Sequence, residues 1–303
     1  MRRPAICLVL ALICGLLSAC AFNDGNEKNA KGVPTTLRVG LIPNVAPDQQ
    51  KAHYRSFADY LAKKLSVKVE LFVASDYAGV VEALASKHLD IAYLGGLTYV
   101  QAEQQADLTP MVTEIDRETG TREYQSAIVV KNDSSFHSVQ DLLAAKASFA
   151  FGDVSSTSGS LYPRSMLDKA GAQCSPQQLT SCPPLSKISF TGGHDAVAQA
   201  VSSGAVDAGG LELRILHRLE SDGTITKGDL RVLESEPVMG YPWVARTALG
   251  ASTIEEIIKA FEQIRDSKLL ELMRAKSYAR VTDADYTQAR SLAKELGLLA
   301  PQK

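Results

Sequence analysis

Asp153-Val154-Ser155-Ser156-Thr157-Ser158-Gly159 follows a short apolar strand, Ala147 to Phe151, and leads into an apolar run through Leu161, Met166 and Leu167. Hydroxyl residues and a glycine at a strand-to-helix junction collect anion-binding groups. Such a junction offers free backbone N–H donors, the positive end of the helix dipole, and hydroxyls able to turn toward a ligand. Read locally, the same residues serve equally well as an ordinary helix N-cap, with one Ser satisfying one orphan N–H. The surrounding chain separates the two readings.

Outward from this stretch, strand and helix signals alternate. Leu37 to Pro43 reads as a first strand, and Asp48 to Leu65 as a helix with Phe57, Leu61 and Leu65 on one stripe. Val67 to Val73 is a strand, and Ser75 or Asp76 caps a helix carrying Val80, Val81 and Leu84. Asp90 to Leu94 is a short buried strand, broken by Gly95-Gly96 before a further helix. This βαβ alternation predicts a mostly parallel sheet covered by helices, with ligands at the carboxyl ends of its strands: Pro43-Asn44, Ser75 to Tyr77, and Tyr93 to Tyr99.

A long strand from Tyr124 to Lys131 opens a second set of alternations. Ser138 to Asp141 has the form of a capping box, and Lys187 to Phe190 and Val206 to Leu211 read as strands around the turn Thr191-Gly-Gly-His-Asp195. Leu230 to Ser235 and Tyr241 to Arg246 are further strands. Ser252 to Glu255 is a second capping box, and Asp283 to Leu296 a closing helix. The pattern is that of two α/β lobes joined by a two-segment hinge, with crossovers near Tyr124 to Val130 and Glu234 to Tyr241. Lobe 1 takes residues 35–124 and 236–303, and lobe 2 takes residues 125–235.

The gross features bound the function. The chain has 303 residues and a formal net charge of −2, and nothing in it suggests a nucleic-acid partner, whose binding calls for a clustered basic face. Arg2 and Arg3 precede an apolar stretch from Ala5 to Leu17, too short for a permanent span and suited to a signal peptide. It ends in Leu17-Ser18-Ala19-Cys20, the pattern of a bacterial lipoprotein leader, so residues 1–20 are a signal and Cys20 carries the lipid. The competing reading is cleavage elsewhere, with Cys20 incidental. Residues 21–34 read as a flexible tether, which makes the mature chain a monomeric envelope protein held to the membrane by its lipid alone. Cys174 and Cys182 remain. In an oxidising compartment they are most simply a disulfide pinning a Ser/Pro/Gln loop, with a zinc site the weaker reading.

Three motifs carry a resemblance: Asp90-Ile-Ala-Tyr-Leu-Gly-Gly-Leu-Thr-Tyr-Val100, Asp153 to Gly159, and Gly193-His-Asp195 with Val206-Asp-Ala208 downstream. Over roughly Leu37 to Leu296 the chain resembles the phosphonate- and phosphite-binding family of ABC-transporter solute receptors. The resemblance implies a type II periplasmic-binding-protein fold, a permease partner, and no cofactor. It also implies that Ser156, Thr157 and Ser158 grip an oxyanion, with Tyr93 and His194 opposite and Tyr54 as a further wall contact.

One departure narrows the ligand. Family members that bind aminoalkyl phosphonates place carboxylates near the cleft for the ammonium group. Here the matching regions read Ala208-Gly-Gly-Leu-Glu-Leu-Arg214 and Val238-Met-Gly-Tyr-Pro-Trp243. Tyr241 and Trp243 stand where an acid is expected, although Glu212 can still face the cleft. The expected ligand is therefore small: phosphite first, with methylphosphonate, hypophosphite and phosphate open. A P–H group needs only an apolar contact, whereas a phosphate hydroxyl there goes unpaired.

Two other classes compete. A hydrolase would need a nucleophile from the hydroxyl cluster with His194, but no Gly-x-Ser-x-Gly elbow or metal-ligand spacing is present. A lipoprotein sensor or adhesin that uses the same fold without transport is the third reading.

Overall fold

The computed structural model describes residues 27–299. The leader, Cys20 and residues 21–26 lie outside the described residues. Two sheets organise the chain. The first is built from β1 (Thr36–Leu41), β2 (Lys68–Val73), β3 (Ile91–Tyr93), β4 (Leu108–Asp116), β10 (Trp243–Arg246) and β11 (Ala275–Arg280). Its order is β11-β4-β10-β3-β1-β2, with β2, β1 and β3 parallel and β10 running antiparallel between β3 and β4. The second is built from β5 (Glu123–Lys131), β6 (Ser148–Phe151), β7 (Lys187–Phe190), β8 (Ala208–Glu212) and β9 (Leu230–Met239), in the order β7-β6-β8-β5-β9. There β7, β6 and β8 are parallel, and β5 runs antiparallel to both β8 and β9.

Helices α1 (Pro47–Leu65), α2 (Tyr77–Ala85) and α3 (Gly96–Ala102) belong to the first lobe. Helices α4 (Val139–Ala144), α5 (Tyr162–Lys169), α6 (His194–Ser202) and α7 (Leu213–Ser221) belong to the second. Helices α8 (Ala251–Glu262), α9 (Ser267–Leu272) and α10 (Thr287–Glu295) return to the first. The apolar stripe of α1 is buried as its spacing predicts, with Phe57, Leu61 and Leu65 against the sheet. Asp76 caps α2 by accepting from Gly79 N, and Ser138 with Asp141 forms the expected capping box of α4.

Several expectations are corrected. The long strand candidates do not cross between lobes: β5 and β9 pair along their length in the second sheet, from Glu123↔Met239 to Lys131↔Leu230. The chain crosses instead through residues 117–122 and 240–242, two short segments tied together by Gly240 N donating to Arg122 O at 2.7 Å. The Ser252–Glu255 box does not form, because Gly250 at φ 87° turns the chain first and α8 starts at Ala251. Asp283–Tyr286 is a 3-10 turn capped by Thr282 and Asp285, and the α-helix follows it.

The tether reading fails for its second half. Asn29 Nδ2 donates to Leu65 O at 2.8 Å and Val33 is fully buried, so residues 27–34 dock on the first lobe. Cys174 and Cys182 are joined as a disulfide, and Arg164 of α5 donates to Leu179 O inside the loop they close. No helix among the described residues is long and apolar enough to cross a membrane.

Candidate functional site

At the end of β6 the chain passes Gly152-Asp153 and enters a π-helical turn, Thr157–Leu161, that runs on into α5. Leu161 N reaches back to Ser156 O at 3.0 Å, the five-residue spacing that widens a helix. Ser156 is the N-cap of this turn, accepting from Gly159 N at 3.0 Å. A strut from β5 holds the turn on the sheet, with Ser126 Oγ donating to Ser158 O at 2.9 Å. The local N-cap reading is realised by Ser156, while the Ser158 hydroxyl is buried with no protein partner.

His194 opens α6 beside this turn, close enough that a Cβ on Gly159 would lie 3.0 Å from its Cε1. Its Nδ1 accepts from Glu212 N at 3.2 Å, which puts the ring proton on Nε2. Burial lowers its pKa, against the pull of Glu212 and Asp195, so the imidazole is neutral. Nε2–H is a buried donor without a partner.

Two tyrosines complete the group. Tyr77 opens α2 on the first lobe and Tyr124 lies on β5 of the second, and both hydroxyls are buried. The Tyr77 hydroxyl approaches Ser156 and that of Tyr124 approaches Ser158, neither at hydrogen-bonding geometry. Five buried polar atoms on or beside this turn are therefore unsatisfied: Ser158 Oγ and Ser160 Oγ on it, and His194 Nε2, Tyr77 OH and Tyr124 OH around it. Each such atom costs about 1–3 kcal/mol unless something else engages it.

The remaining predicted residues form a wall. Tyr93 and Tyr241 stack at 5.1 Å with 16° between their planes, and Tyr54 lies 5.7 Å from Tyr93. Trp243 packs 5.0 Å from Tyr93. The Tyr241 hydroxyl is already committed, donating to Glu212 Oε2 at 2.6 Å. Arg214 Nε donates to Glu212 Oε1 at 2.5 Å, and its Nη1 to Asp116 Oδ2 at 3.0 Å. A cavity of about 30 Å³ lies against Tyr54, Tyr93, Glu212 and Arg214. Among the described residues no group of three or more His, Cys, Asp or Glu side chains is placed to hold a metal ion.

Of the residues the sequence put forward, the fold gathers Ser156, Thr157, Ser158 and His194 at one turn and Tyr54, Tyr93 and Tyr241 in one aromatic wall. Sequence reasoning missed Tyr77 and Tyr124 as unpartnered hydroxyls, and Arg214. The available signal for Tyr77 was its place at the carboxyl end of a parallel strand.

The two lobes are closed on each other. Leu97 N donates to Thr157 Oγ1 at 2.9 Å and Thr98 Oγ1 to Ser155 O at 3.0 Å, joining α3 to the hydroxyl turn. Tyr77 N donates to Asp153 Oδ2 at 3.3 Å, and burial raises the pKa of that carboxyl. On the other flank His194 N donates to Asn44 O at 3.0 Å, and Ala46 N to Asp195 Oδ2 at 3.2 Å. Thr157 thus spends an acceptor lone pair across the cleft and keeps its O–H to give.

Residues 39–286 match the family described as the ABC transporter, phosphonate, periplasmic substrate-binding protein. The chain is 32% identical to the phosphate-import protein PhnD of Mycolicibacterium smegmatis, over 96% of each chain. It is 26% identical to the probable ABC transporter phosphite binding protein PhnD1 of Prochlorococcus marinus, over 87% of this chain and 90% of that one. The solved structure of PhnD1 from Prochlorococcus marinus in complex with methylphosphonate superposes with a TM-score of 0.75, covering 86% of this chain and 98% of that one. These relatives are substrate-binding components of transporters, so the chain is a binding protein and not an enzyme. A closed two-lobed cleft with unsatisfied donors around a hydroxyl turn, and a family match that spans both lobes, place the chain in the phosphonate-binding family of periplasmic ABC-transporter substrate-binding proteins.

Proposed function

We propose that the protein captures a small phosphorus oxyanion, phosphite foremost, between its lobes and presents it to an ABC permease from a lipid anchor on Cys20. The observation that carries this reading is the convergence of Ser158 Oγ, His194 Nε2, Tyr77 OH and Tyr124 OH, all buried and unpartnered. A tetrahedral oxyanion needs donors from several directions, and this set supplies neutral ones without a full countercharge. Ser156 and Thr157, each already accepting from a backbone amide, keep their O–H groups for the same anion. Tyr93, Tyr54 and Tyr241 wall the site.

Phosphite is favoured over phosphate because a protonated phosphate oxygen needs an acceptor. The nearby carboxylate of Glu212 has both oxygens engaged, by Tyr241 and Arg214. A P–H bond asks for none. Phosphate is the second reading, on the strength of the relative named for phosphate import, and methylphosphonate shares the three-oxygen face.

The test is calorimetric titration of residues 27–303 with phosphite, methylphosphonate, hypophosphite, phosphate and sulfate. Phosphite is expected to bind at least about tenfold tighter than phosphate, a margin of roughly 1.4 kcal/mol. His194→Ala is expected to weaken phosphite binding by a similar factor or more while the fold is retained. Equal or tighter phosphate binding would transfer the substrate to phosphate. An unaltered His194→Ala would displace the site.

A further inference from the structure

Arg214 has surroundings that, taken without it, describe a cation-binding pocket. Two buried carboxylates reach its guanidinium, Glu212 Oε1 at 2.5 Å and Asp116 Oδ2 at 3.0 Å. Two tyrosine rings flank it, Tyr124 with its centroid 4.6 Å from Cζ and Tyr241 at 5.8 Å, the geometry of a cation–π cage. A third buried acid, Glu114, faces the same region with Oε1 unpartnered. Arg214 is itself 5% exposed, so the ion pairs are out of water and depend on one another.

This pocket adjoins the proposed anion site through shared residues. The Glu212 backbone donates to His194, and Tyr124 turns its hydroxyl toward Ser158 while its ring lies against Arg214. The small cavity beside Tyr93 runs along Arg214 and Glu212 to Arg218, His53 and Arg274.

We infer that Arg214 is a built-in occupant of a cation subsite next to the anion site, and that it fixes specificity by excluding ligands with a positively charged tail. The inference rests on the oxyanion reading and deepens it. With the guanidinium in place, a ligand ammonium finds both carboxylates engaged and a like charge ahead of it. Without the guanidinium, the cage and its acids are free to take such a group. Because Asp116 belongs to the first lobe and Arg214 to the second, the same side chain also ties the lobes together.

Three ligands with the same anionic head and different tails test this: phosphite, methylphosphonate and aminomethylphosphonate, the last alone carrying an ammonium, titrated into wild type, Arg214→Ala and Arg214→Lys. Wild type is expected to bind methylphosphonate at least about tenfold tighter than the aminomethyl compound. Arg214→Ala is expected to shift that ratio by at least tenfold toward the aminomethyl compound. It is also expected to bind phosphite more weakly, with partial recovery in millimolar guanidinium chloride but not in equimolar sodium chloride. Arg214→Lys keeps a cation in the cage and is expected to retain the wild-type preference.

A wild type that binds the two phosphonates equally, or an Arg214→Ala that remains folded by circular dichroism with the ratio unchanged, overturns the inference. Should Arg214→Ala not fold, the wild-type ratio and the Arg214→Lys ratio decide. Absence of binding to any of the three by wild type would sink the oxyanion reading itself, and the specificity inference with it. That result is distinct from the altered ratios that bear on Arg214 alone.

Discussion

Glu114 is the residue at which the closed cleft is least comfortable. It lies buried on β4, two residues before Asp116, with Oε1 lacking a hydrogen-bond partner. Burial pushes its carboxyl up to about 7, against the pull of Arg214. An unfolded chain ionises this group near its ordinary value of 4.5, so from there up to about pH 7 the unfolded state loses its proton while the folded state keeps it. Stability contributed by the protonated form is therefore lost as pH rises through that window, by about 3 kcal/mol in all. Glu114→Gln, which keeps the shape and removes the charge, is expected to unfold at higher urea than wild type at pH 8. The two are expected to nearly coincide at pH 4.5. Coincidence at both pH values would mean that Glu114 is ionised in the fold without penalty.

At the scale of elements, the site depends on how β5 meets the hydroxyl turn. Ser126 pairs with Glu212 in the β5–β8 ladder and reaches over with its hydroxyl to Ser158 O. Ser126→Ala leaves a buried carbonyl short of a donor and unfastens the turn from the sheet. The expected cost is about 1–2 kcal/mol in thermal or urea unfolding, together with weaker phosphite binding. Loss of stability with unchanged affinity would show that the turn holds its shape without the strut. The turn itself was legible in sequence because a strand, consecutive hydroxyls and a helix signal all fall within Ala147 to Leu167. Strands β4 and β11 were not. Pro110 interrupts the strand signal of β4, and β11 is a polar edge strand whose partner lies far away in sequence. Sequence put Tyr77 at a strand end, but it could not tell that the hydroxyl of Tyr77, or that of Tyr124, goes unpartnered. Which hydroxyl is left without a partner is decided only when α2 of one lobe meets the turn of the other. Arg214 escaped for the same reason, since its acids and rings come from β4, β5, β8 and the second crossover.

For the molecule as a whole, closure is a property of opposed backbones. Beside the side-chain pair Arg214–Asp116, five hydrogen bonds join the lobes near strand ends, and each of the five uses a main-chain group on at least one side. The lobes therefore fit only if the surfaces between them stay bare, and Gly95 is the position where this is most exposed to test. Its backbone is ordinary, at φ −77° and ψ 163°, so alanine fits it without strain. A Cβ there would lie 2.7 Å from Thr157 Oγ1, which belongs to the other lobe and accepts the Leu97 amide. Gly95→Ala thus leaves each lobe intact and opposes only their meeting. A ligand that binds the closed form must then spend part of its binding free energy on closure, and every 1.4 kcal/mol so used costs about tenfold in affinity. Unliganded Gly95→Ala is expected to melt like wild type and to bind phosphite at least tenfold more weakly. In small-angle X-ray scattering with saturating phosphite it is expected to contract less than wild type does. Wild-type affinity with full contraction would mean that Thr157 can give way, and that closure is set by the Arg214–Asp116 pair and the Asn44–Asp195 flank instead.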